Sequence, residues 1–275
     1  MADRAGKGTG RDQGRSWAVL AALIITGLFL ALVARFAGAP AWVQIALIVL
    51  GVLAGVGLNE WLVRHGGEEN KNTRGLLLVD RGDEQSVREA ERWFREAAAS
   101  GHPGAMNNLG VLLNRNGDRR SLHEAEDWYR RAAAGDHLNA MNNLGLLLVR
   151  RWDLNDRREA EDWFRKAADA DHTDAMDNLG LLLYDRGDRG SVQEAEQWFR
   201  RAANADHVNA MNNLGILLYD RGDRDSRTEA EEWFRRAAAR DHSDAMHNLA
   251  VLLKHRGDRQ ARREAEDWMR ASREA

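Results

Sequence analysis

The chain contains no cysteine, which excludes disulfide bonds and cysteine-ligated metal sites. It also lacks a basic excess, because 40 Lys and Arg residues stand against 43 Asp and Glu residues and the formal net charge is −3. A nucleic-acid-binding surface requires clustered positive charge. The composition therefore gives no reason to expect a nucleic-acid partner.

The sequence also lacks the short motifs of common catalytic sites. It has no phosphate-binding loop, no His-Glu-x-x-His pair and no nucleophile elbow. Its Asp-His pairs, such as Asp136-His137, recur at a fixed interval, whereas an active site would occur once. We therefore expect a protein that is not an enzyme, with no catalytic residues, no cofactor and no small-molecule substrate.

What the sequence does contain is a repeat with a strict period of 35 residues. Six tryptophans keep this spacing: Trp93, Trp128, Trp163, Trp198, Trp233 and Trp268. Five histidines keep it as well: His102, His137, His172, His207 and His242. A fixed period of this size is typical of stacked helical hairpins. In such a stack neighbouring histidines lie about 10 Å apart, too far to share a metal ion, so we predict junction hydrogen bonds and no metal site.

Residues 105–139 illustrate the repeating unit. An Asn or Asp before each Ala-Met pair, such as Asn139, suits the N-cap of a first helix. A later glycine, such as Gly187, suits the left-handed residue that ends that helix. The second helix then opens with the form of a capping box, as in Ser121-x-x-Glu124 or Ser191-x-x-Glu194. The sequence therefore predicts two helices and a tight turn in each repeat.

The second helix carries a broad apolar stripe. In the second copy Ala125, Trp128, Tyr129, Ala132 and Ala133 occupy positions i, i+3, i+4, i+7 and i+8. One hairpin cannot bury such a stripe, whereas stacked hairpins can. The sequence thus predicts an all-α fold, an α/α-hairpin solenoid of about six 35-residue repeats over residues 65–275. We expect the tryptophan row to be its buried core.

These residues resemble the Sel-like repeat family, a close relative of the tetratricopeptide repeats. Asn108-Leu109-Gly110 matches the first-helix motif of that family, and Ala125-x-x-Trp128-Tyr129-x-x-Ala132-Ala133 matches its second-helix motif. The resemblance covers about residues 70–275. It implies a protein–protein interaction scaffold that holds its partners on a concave surface lined by the first helices.

The first 65 residues have a different character. Residues 1–15 are polar and glycine-rich, which predicts a disordered tail. Residues 16–34 and 36–59 are uncharged, and each stretch can cross a ~30 Å hydrocarbon core at about 1.5 Å per residue. We predict two transmembrane helices, about 16–34 and 41–59, within an anchor at 16–64. The alternatives are a signal peptide, for which the first stretch is too long, and a buried soluble hairpin.

The cations around these stretches predict the orientation. Arg4, Lys7, Arg11 and Arg15 precede the first stretch, and only Arg35 separates the two. The positive-inside rule then places both ends of the chain in the cytoplasm. Arginine greatly outnumbers lysine, which is typical of GC-rich bacterial genomes. We therefore expect a multi-pass protein of the bacterial inner membrane with cytoplasmic repeats.

One asparagine per repeat is the first candidate for partner binding. The row comprises Asn108, Asn143, Asn178, Asn213 and Asn248. An amide side chain donates and accepts at once, which suits contact with a peptide backbone. The alternative is that each asparagine bonds the backbone of the adjacent repeat.

Positions that vary within an otherwise constant repeat are the second kind of candidate. One such position holds Tyr184 and Tyr219 in the fourth and fifth repeats. Trp152 replaces the turn glycine of the third repeat and is either packed under a neighbouring turn or exposed as a binding anchor. We predict that Trp152, Tyr184 and Tyr219 bind a partner together with the asparagine row.

Two functions fit these expectations. The first is a membrane-anchored scaffold whose solenoid binds a peptide or protein partner. The second is an accessory subunit of a membrane protein complex, which recognises partners through the transmembrane hairpin and uses the repeats as a regulatory arm. Small residues at Gly51, Ala54, Gly55 and Gly57 would permit close helix packing in that hairpin.

Overall fold

The computed structural model describes residues 68–151 and 153–274. The predicted tail at 1–15, the predicted transmembrane helices at 16–34 and 41–59, and Trp152 all lie outside the described residues. Within the two described ranges, no helix is both long and apolar enough to span a bilayer. The structure therefore bears on the predictions for the repeat region, residues 68–151 and 153–274.

The described residues form twelve α-helices, paired as six hairpins. In chain order they are α1 (Glu68–Arg81), α2 (Glu84–Ala99), α3 (Pro103–Asn116), α4 (Arg119–Ala134), α5 (Leu138–Val149), α6 (Leu154–Asp169), α7 (Thr173–Arg186), α8 (Arg189–Asn204), α9 (Val208–Arg221), α10 (Arg224–Ala238), α11 (Ser243–Arg256) and α12 (Arg259–Glu274). Each pair is one repeat, from repeat 1 (α1 and α2) to repeat 6 (α11 and α12). The predicted all-α architecture of six helical hairpins is confirmed.

The chain divides into two compact units, residues 1–105 and residues 106–275. In the first unit, α1 packs against α2. In the second unit, each first helix from α7 onward packs against its own second helix and against both helices of the preceding repeat. Successive hairpins of the second unit therefore stack as a solenoid.

A histidine caps each first helix of repeats 3 to 6. The Nδ1 atom of His172 accepts the backbone N–H of Ala175 at 3.2 Å, and His137, His207 and His242 make the same bond. The prediction that Asn139 and its equivalents cap these helices is wrong. Each helix begins two residues earlier, because the extended histidine presents a ring nitrogen where an asparagine cap would present its oxygen.

Each second helix likewise begins before its predicted capping box. Asp188 caps α8 and accepts the backbone N–H of Ser191 at 3.0 Å, so Ser191 is not the cap but lies inside the helix. Gly187, with φ of 74°, ends α7 in the left-handed conformation, as predicted. The Gly-Asp pair thus ends one helix and starts the next.

The buried aromatic side chain of each repeat is the one after the tryptophan. The core aromatics of repeats 1 to 5 are Phe94, Tyr129, Phe164, Phe199 and Phe234. The tryptophans before them are partly exposed, except Trp233. The predicted buried tryptophan row is therefore wrong by one residue. The tryptophan lies at the edge of the apolar stripe, where its indole N–H finds a surface partner.

Close packing of this aromatic side chain explains the glycine of the Asn-Leu-Gly motif. A Cβ atom added at Gly145 would lie 2.5 Å from Cε1 of Phe164, and the equivalent glycines of repeats 1, 2, 4 and 5 are as tightly packed. Repeat 6 has Ala250 at this position, and there Met269 replaces the aromatic residue. The glycine and the aromatic residue therefore belong to one packing unit.

Candidate partner-binding face of the first helices

The predicted asparagine row lies on the first helices and joins consecutive repeats. In repeats 3 to 6 each Nδ2 donates to the side chain 36 residues earlier: Asn143 to Asn107 (2.9 Å), Asn178 to Asn142 (2.8 Å), Asn213 to Asp177 (2.8 Å) and Asn248 to Asn212 (2.9 Å). The acceptor is thus a side chain of the preceding repeat and not its backbone, as the alternative interpretation had it. The asparagines remain partly exposed, whereas their acceptors are buried.

The amide oxygen of Asn108 accepts from Asn107 at 3.4 Å, but those of the other four asparagines accept no hydrogen bond within the described part of the chain. Asn143, Asn178, Asn213 and Asn248 each show the single bond above and no other hydrogen bond among the described residues. The bond to Asp177 fixes the orientation of Asn213, because an ionised carboxylate can only accept. In that orientation Oδ1 and the second N–H of the amide stay available to a partner.

An aliphatic row runs beside the asparagine row, one helical turn further along each first helix. Its members in the second unit are Val111, Leu146, Leu181, Ile216 and Val251. Leu146 is 40% exposed and Leu181 is 42% exposed, while the other three are half-buried. This row was not predicted, although its 35-residue spacing is visible in the sequence. A row of amides and a row of apolar side chains thus lie side by side on one surface.

Tyr184 and Tyr219 make contacts between repeats at the edge of this face. The Tyr184 hydroxyl donates to Asp220, and burial together with Asp220 raises the pKa of Tyr184 to about 12. The Tyr219 hydroxyl bonds Nδ1 of His255, and the two rings stack with centroids 6.1 Å apart. Both tyrosines are half-buried, so each leaves only part of its ring for a partner.

Repeat 3 has Val149 where the next two repeats have these tyrosines. Valine has no hydroxyl, and Asp185, the counterpart of Asp220, forms an ion pair with Arg157 instead. A cavity of about 310 Å³ lies at this point, lined by apolar side chains that include Val149 and Leu181, and by Asn178. The predicted residue Asn178 is therefore part of a concave site.

A second cavity of about 560 Å³ adjoins the first. The two share Arg157, Leu182 and Asp185 in their linings. Its outer wall contains Leu154, which is 76% exposed, and Arg158. Neither residue was predicted as a site, because each looks ordinary in sequence and only the folded chain places them at a cavity that adjoins the one lined by Val149.

The tryptophan row on the second helices is held by contacts within the chain. Each indole Nε1 donates to the glutamate four residues earlier, as Trp163 does to Glu159 at 3.2 Å. A cationic group also covers the ring in repeats 1 to 5, as where Nζ of Lys166 lies 4.2 Å from the Trp163 centroid. Such cation–π contacts stabilise half-exposed rings.

Arginine–glutamate ion pairs connect the second helices of the second unit. Arg165 pairs with Glu161 of its own helix at 3.0 Å and with Glu194 of the next repeat, and these bonds raise its pKa. Glu161 also pairs with Arg186. The same arrangement recurs around Arg130, Arg200 and Arg235. These four arginines and their glutamates are therefore already paired.

The predicted junction hydrogen bonds of the histidines are confirmed. Because Nδ1 accepts a backbone N–H, Nε2 carries the proton and donates across the junction, from His172 to Asn139 at 2.6 Å and from His207 to Asp174 at 2.8 Å. Burial lowers the pKa of His172. Within residues 68–151 and 153–274, no group of three His, Asp or Glu side chains has a metal-ligating arrangement.

The repeats were compared with models of known protein families and with curated protein sequences. The Sel1 repeat model matches six segments of the chain: 76–102, 103–137, 138–172, 173–207, 208–242 and 243–275. Comparison with curated protein sequences gives no match.

Two solved structures show the same fold. A Sel1 repeat protein from Oxalobacter formigenes aligns with a TM-score of 0.64 and 24% identity, over 76% of this chain and 88% of that one. The pilF protein of Pseudomonas aeruginosa aligns with a TM-score of 0.58 and 19% identity, over 73% of this chain and 88% of that one. At this level of identity the likeness concerns the fold alone.

Proposed function

Since the chain belongs to the Sel1 repeat family, we propose that it is a protein–protein interaction scaffold whose first helices bind a peptide or protein partner. The proposal rests on one observation. Partly exposed amides and exposed aliphatic side chains lie side by side along the first helices of the second unit. On the second helices, by contrast, a row of arginines and glutamates is already paired within the chain.

The amide row supplies the polar part of such a site. Asn143, Asn178 and Asn213 each have an amide oxygen and one N–H without a partner among the described residues. Such an amide accepts a backbone N–H and donates to a backbone carbonyl of an extended peptide. Since first helices in such stacks lie about 8–10 Å apart, three residues of extended peptide, at about 3.3 Å each, span one repeat.

The aliphatic row supplies the apolar part. Leu146 and Leu181 lose accessible surface when a peptide covers them, at about 25 cal/mol per Å² of apolar area. Asp220 and His255 are bonded to the tyrosines of the preceding repeats, so the edge of the face is held in place before binding. A face that is ordered in advance loses less conformational entropy when a partner binds.

A crosslinking experiment on the full-length chain tests this proposal. A photoreactive phenylalanine analogue replaces Leu181 on α7 or, as the matched control, the exposed Gln197 on α8. We expect a protein partner to crosslink from position 181 and not from position 197. Crosslinking from position 197 alone would contradict the proposal. Crosslinking from neither site, but from Leu47 in the predicted second transmembrane helix, would favour recognition through the N-terminal segment.

We also propose that residues 16–64 anchor the chain in the inner membrane, with the repeats on the cytoplasmic side. The support is the pair of uncharged stretches at 16–34 and 36–59 and the four cations that precede them. Alkaline phosphatase fused after Ala275 should be inactive, because it folds only outside the cytoplasm, while a fluorescent protein at the same point should fluoresce. An active phosphatase fusion would reverse the orientation.

A further inference from the structure

Repeat 3 departs from its neighbours at three positions that come together in space. Val149, Leu154 and Arg158 stand where repeat 4 has Tyr184, Arg189 and Gln193. Val149 lines the smaller cavity, and the other two line the larger cavity that adjoins it. Val149 and Leu154 recur in no other repeat of the second unit, whereas the position of Arg158 varies from repeat to repeat and is again arginine at Arg263.

We propose that this junction binds a linear peptide segment of a protein partner that presents a branched aliphatic side chain next to a carboxylate. The proposal rests on the proposed function, because it assumes that the first-helix face binds a partner. It adds the place of binding and the chemistry that is recognised.

The smaller cavity favours an aliphatic side chain of the bound peptide. Its volume of about 310 Å³ lies at the lower end of the range of about 300–1,000 Å³ for ligand pockets, so it suits a peptide side chain better than a large cofactor. Five of its eight lining residues are apolar: Leu146, Val149, Phe164, Leu181 and Leu182. An aliphatic side chain placed there is buried against this mostly apolar lining, which favours it, while the Asn178 amide stays available to the peptide backbone.

The lining of the larger cavity favours a carboxylate on the bound peptide. Three guanidinium groups and two carboxylates line it. Arg157 pairs with Asp185 and Arg186 pairs with Glu161, which leaves Arg158. Arg158 has no ion pair or hydrogen bond among the described residues. A carboxylate is the group that complements a guanidinium best, because it accepts two parallel N–H bonds.

The two features lie close enough for one short segment. The cavities share the Arg157–Asp185 ion pair and Leu182, so a peptide that leaves the smaller cavity passes directly over the larger one. Leu154 is 76% exposed at that point and offers an apolar contact on the way. An aliphatic residue and an acidic residue a few positions apart therefore fill both subsites.

A peptide selection on the full-length chain tests the proposal. Random nine-residue peptides displayed on phage are selected against the immobilised 275-residue chain. The most enriched peptide is then synthesised with a fluorescein label, and its Kd is measured by anisotropy at two salt concentrations. We expect the enriched peptides to share Leu, Ile or Val with an Asp or Glu within a few positions.

Variants that install the residues of repeat 4 identify the subsites. Val149→Tyr fills the smaller cavity and should weaken the labelled peptide at least tenfold, since the aliphatic side chain then stays in water. Arg158→Gln should weaken it about threefold and reduce its salt dependence. Lys254→Tyr places the same ring at the same position of repeat 6 and should leave the Kd unchanged. The chain itself shows that each junction residue is tolerated, because repeat 4 carries it.

The outcomes separate this proposal from the proposed function. Enriched peptides without the aliphatic–acidic pattern, no enrichment at all, or a Kd that Val149→Tyr leaves unchanged would each overturn the proposal. If crosslinking from position 181 persists in any of these cases, the scaffold function stands and only the assignment to this junction is lost. If crosslinking from position 181 fails as well, both are lost.

Discussion

Asn213 donates its side-chain N–H to the carboxylate of Asp177, 36 residues earlier, at 2.8 Å. The corresponding acceptors in the neighbouring repeats, Asn142 and Asn212, are amides. Asp177 is buried, and this burial raises its pKa, because the charged form loses hydration. The bond to Asn213 opposes that shift only in part. An ionised Asp177 therefore destabilises the second unit at neutral pH.

Replacing this carboxylate by an amide should stabilise the chain. A group whose pKa is raised on folding favours the folded state below its unfolded pKa and loses that contribution as the pH rises through its folded pKa. Asp177→Asn should therefore gain about 1 kcal/mol at pH 7 and nothing near pH 3.5. Urea unfolding at both pH values measures this. Asn212→Asp, which adds a carboxylate one repeat later, should have the opposite effect, and a loss of stability in Asp177→Asn would refute the argument.

Protonation of His172 should destabilise its repeat. Burial lowers the pKa of His172 below its ordinary value near 6.5, so its contribution is complete above that pH and is lost as the pH falls through the lowered pKa. The physical reason is that Nδ1 accepts the N–H of Ala175, and a proton on Nδ1 abolishes this cap, which contributes about 1 kcal/mol. His172→Asn keeps a cap that does not titrate. Unfolding of both proteins at pH 8 and pH 5 should therefore show a smaller acid loss in the variant.

The packing of Gly145 against Phe164 predicts a strong coupling. Gly145→Ala places a Cβ atom 2.5 Å from the ring and should cost about 1–3 kcal/mol. Phe164→Met removes the ring, and together with Gly145→Ala it reproduces the Ala250–Met269 pair of repeat 6. In the background of Phe164→Met, Gly145→Ala should cost much less, with a coupling free energy of about 1 kcal/mol or more in a double-mutant cycle. Equal costs in both backgrounds would mean that another contact requires the glycine.

The two adjacent aromatic residues of repeat 4 should differ in their contribution to stability. Phe199 is buried, whereas Trp198 is partly exposed. Phe199→Ala should cost about 3–5 kcal/mol, because it leaves a cavity in the core. Trp198→Ala should cost clearly less, even though it removes the larger side chain. Equilibrium unfolding of the two variants measures both losses. A larger loss for Trp198→Ala than for Phe199→Ala would mean that the tryptophan row forms the core after all.

The helical hairpins were predictable from sequence because their period is strict, but the register within each hairpin was not. Trp128 and Tyr129 both lie on the apolar stripe of α4, one residue apart. The contact that selects Tyr129 for the core is with Gly110 on the other helix. Similarly, Asp188 and Ser191 are both good caps, three residues apart, and the choice depends on where α7 ends. Local patterns leave such alternatives open, and tertiary packing decides between them.

The candidate site was predictable only in part. The asparagine row was recognised as a repeated exposed amide, but its acceptors depend on how one repeat sits on the next, which sequence spacing does not specify. Val149 was visible as a departure from the tyrosine position. Its proximity to Leu154 and Arg158 depends on the turn between α5 and α6, so the cavities could not be foreseen. The binding role of Trp152 stays a prediction.

The Arg165–Glu194 ion pair joins residues 29 apart, and three further kinds of contact between consecutive repeats join residues 25, 33 or 36 apart. All of these contacts recur with a 35-residue shift. Removing or duplicating 35 consecutive codons in this region therefore joins surfaces that already match each other, without creating a new kind of interface. The number of repeats can thus change by duplication or deletion while the contacts between repeats stay of the same kind. A junction such as that of Val149 can therefore be duplicated or moved as a unit.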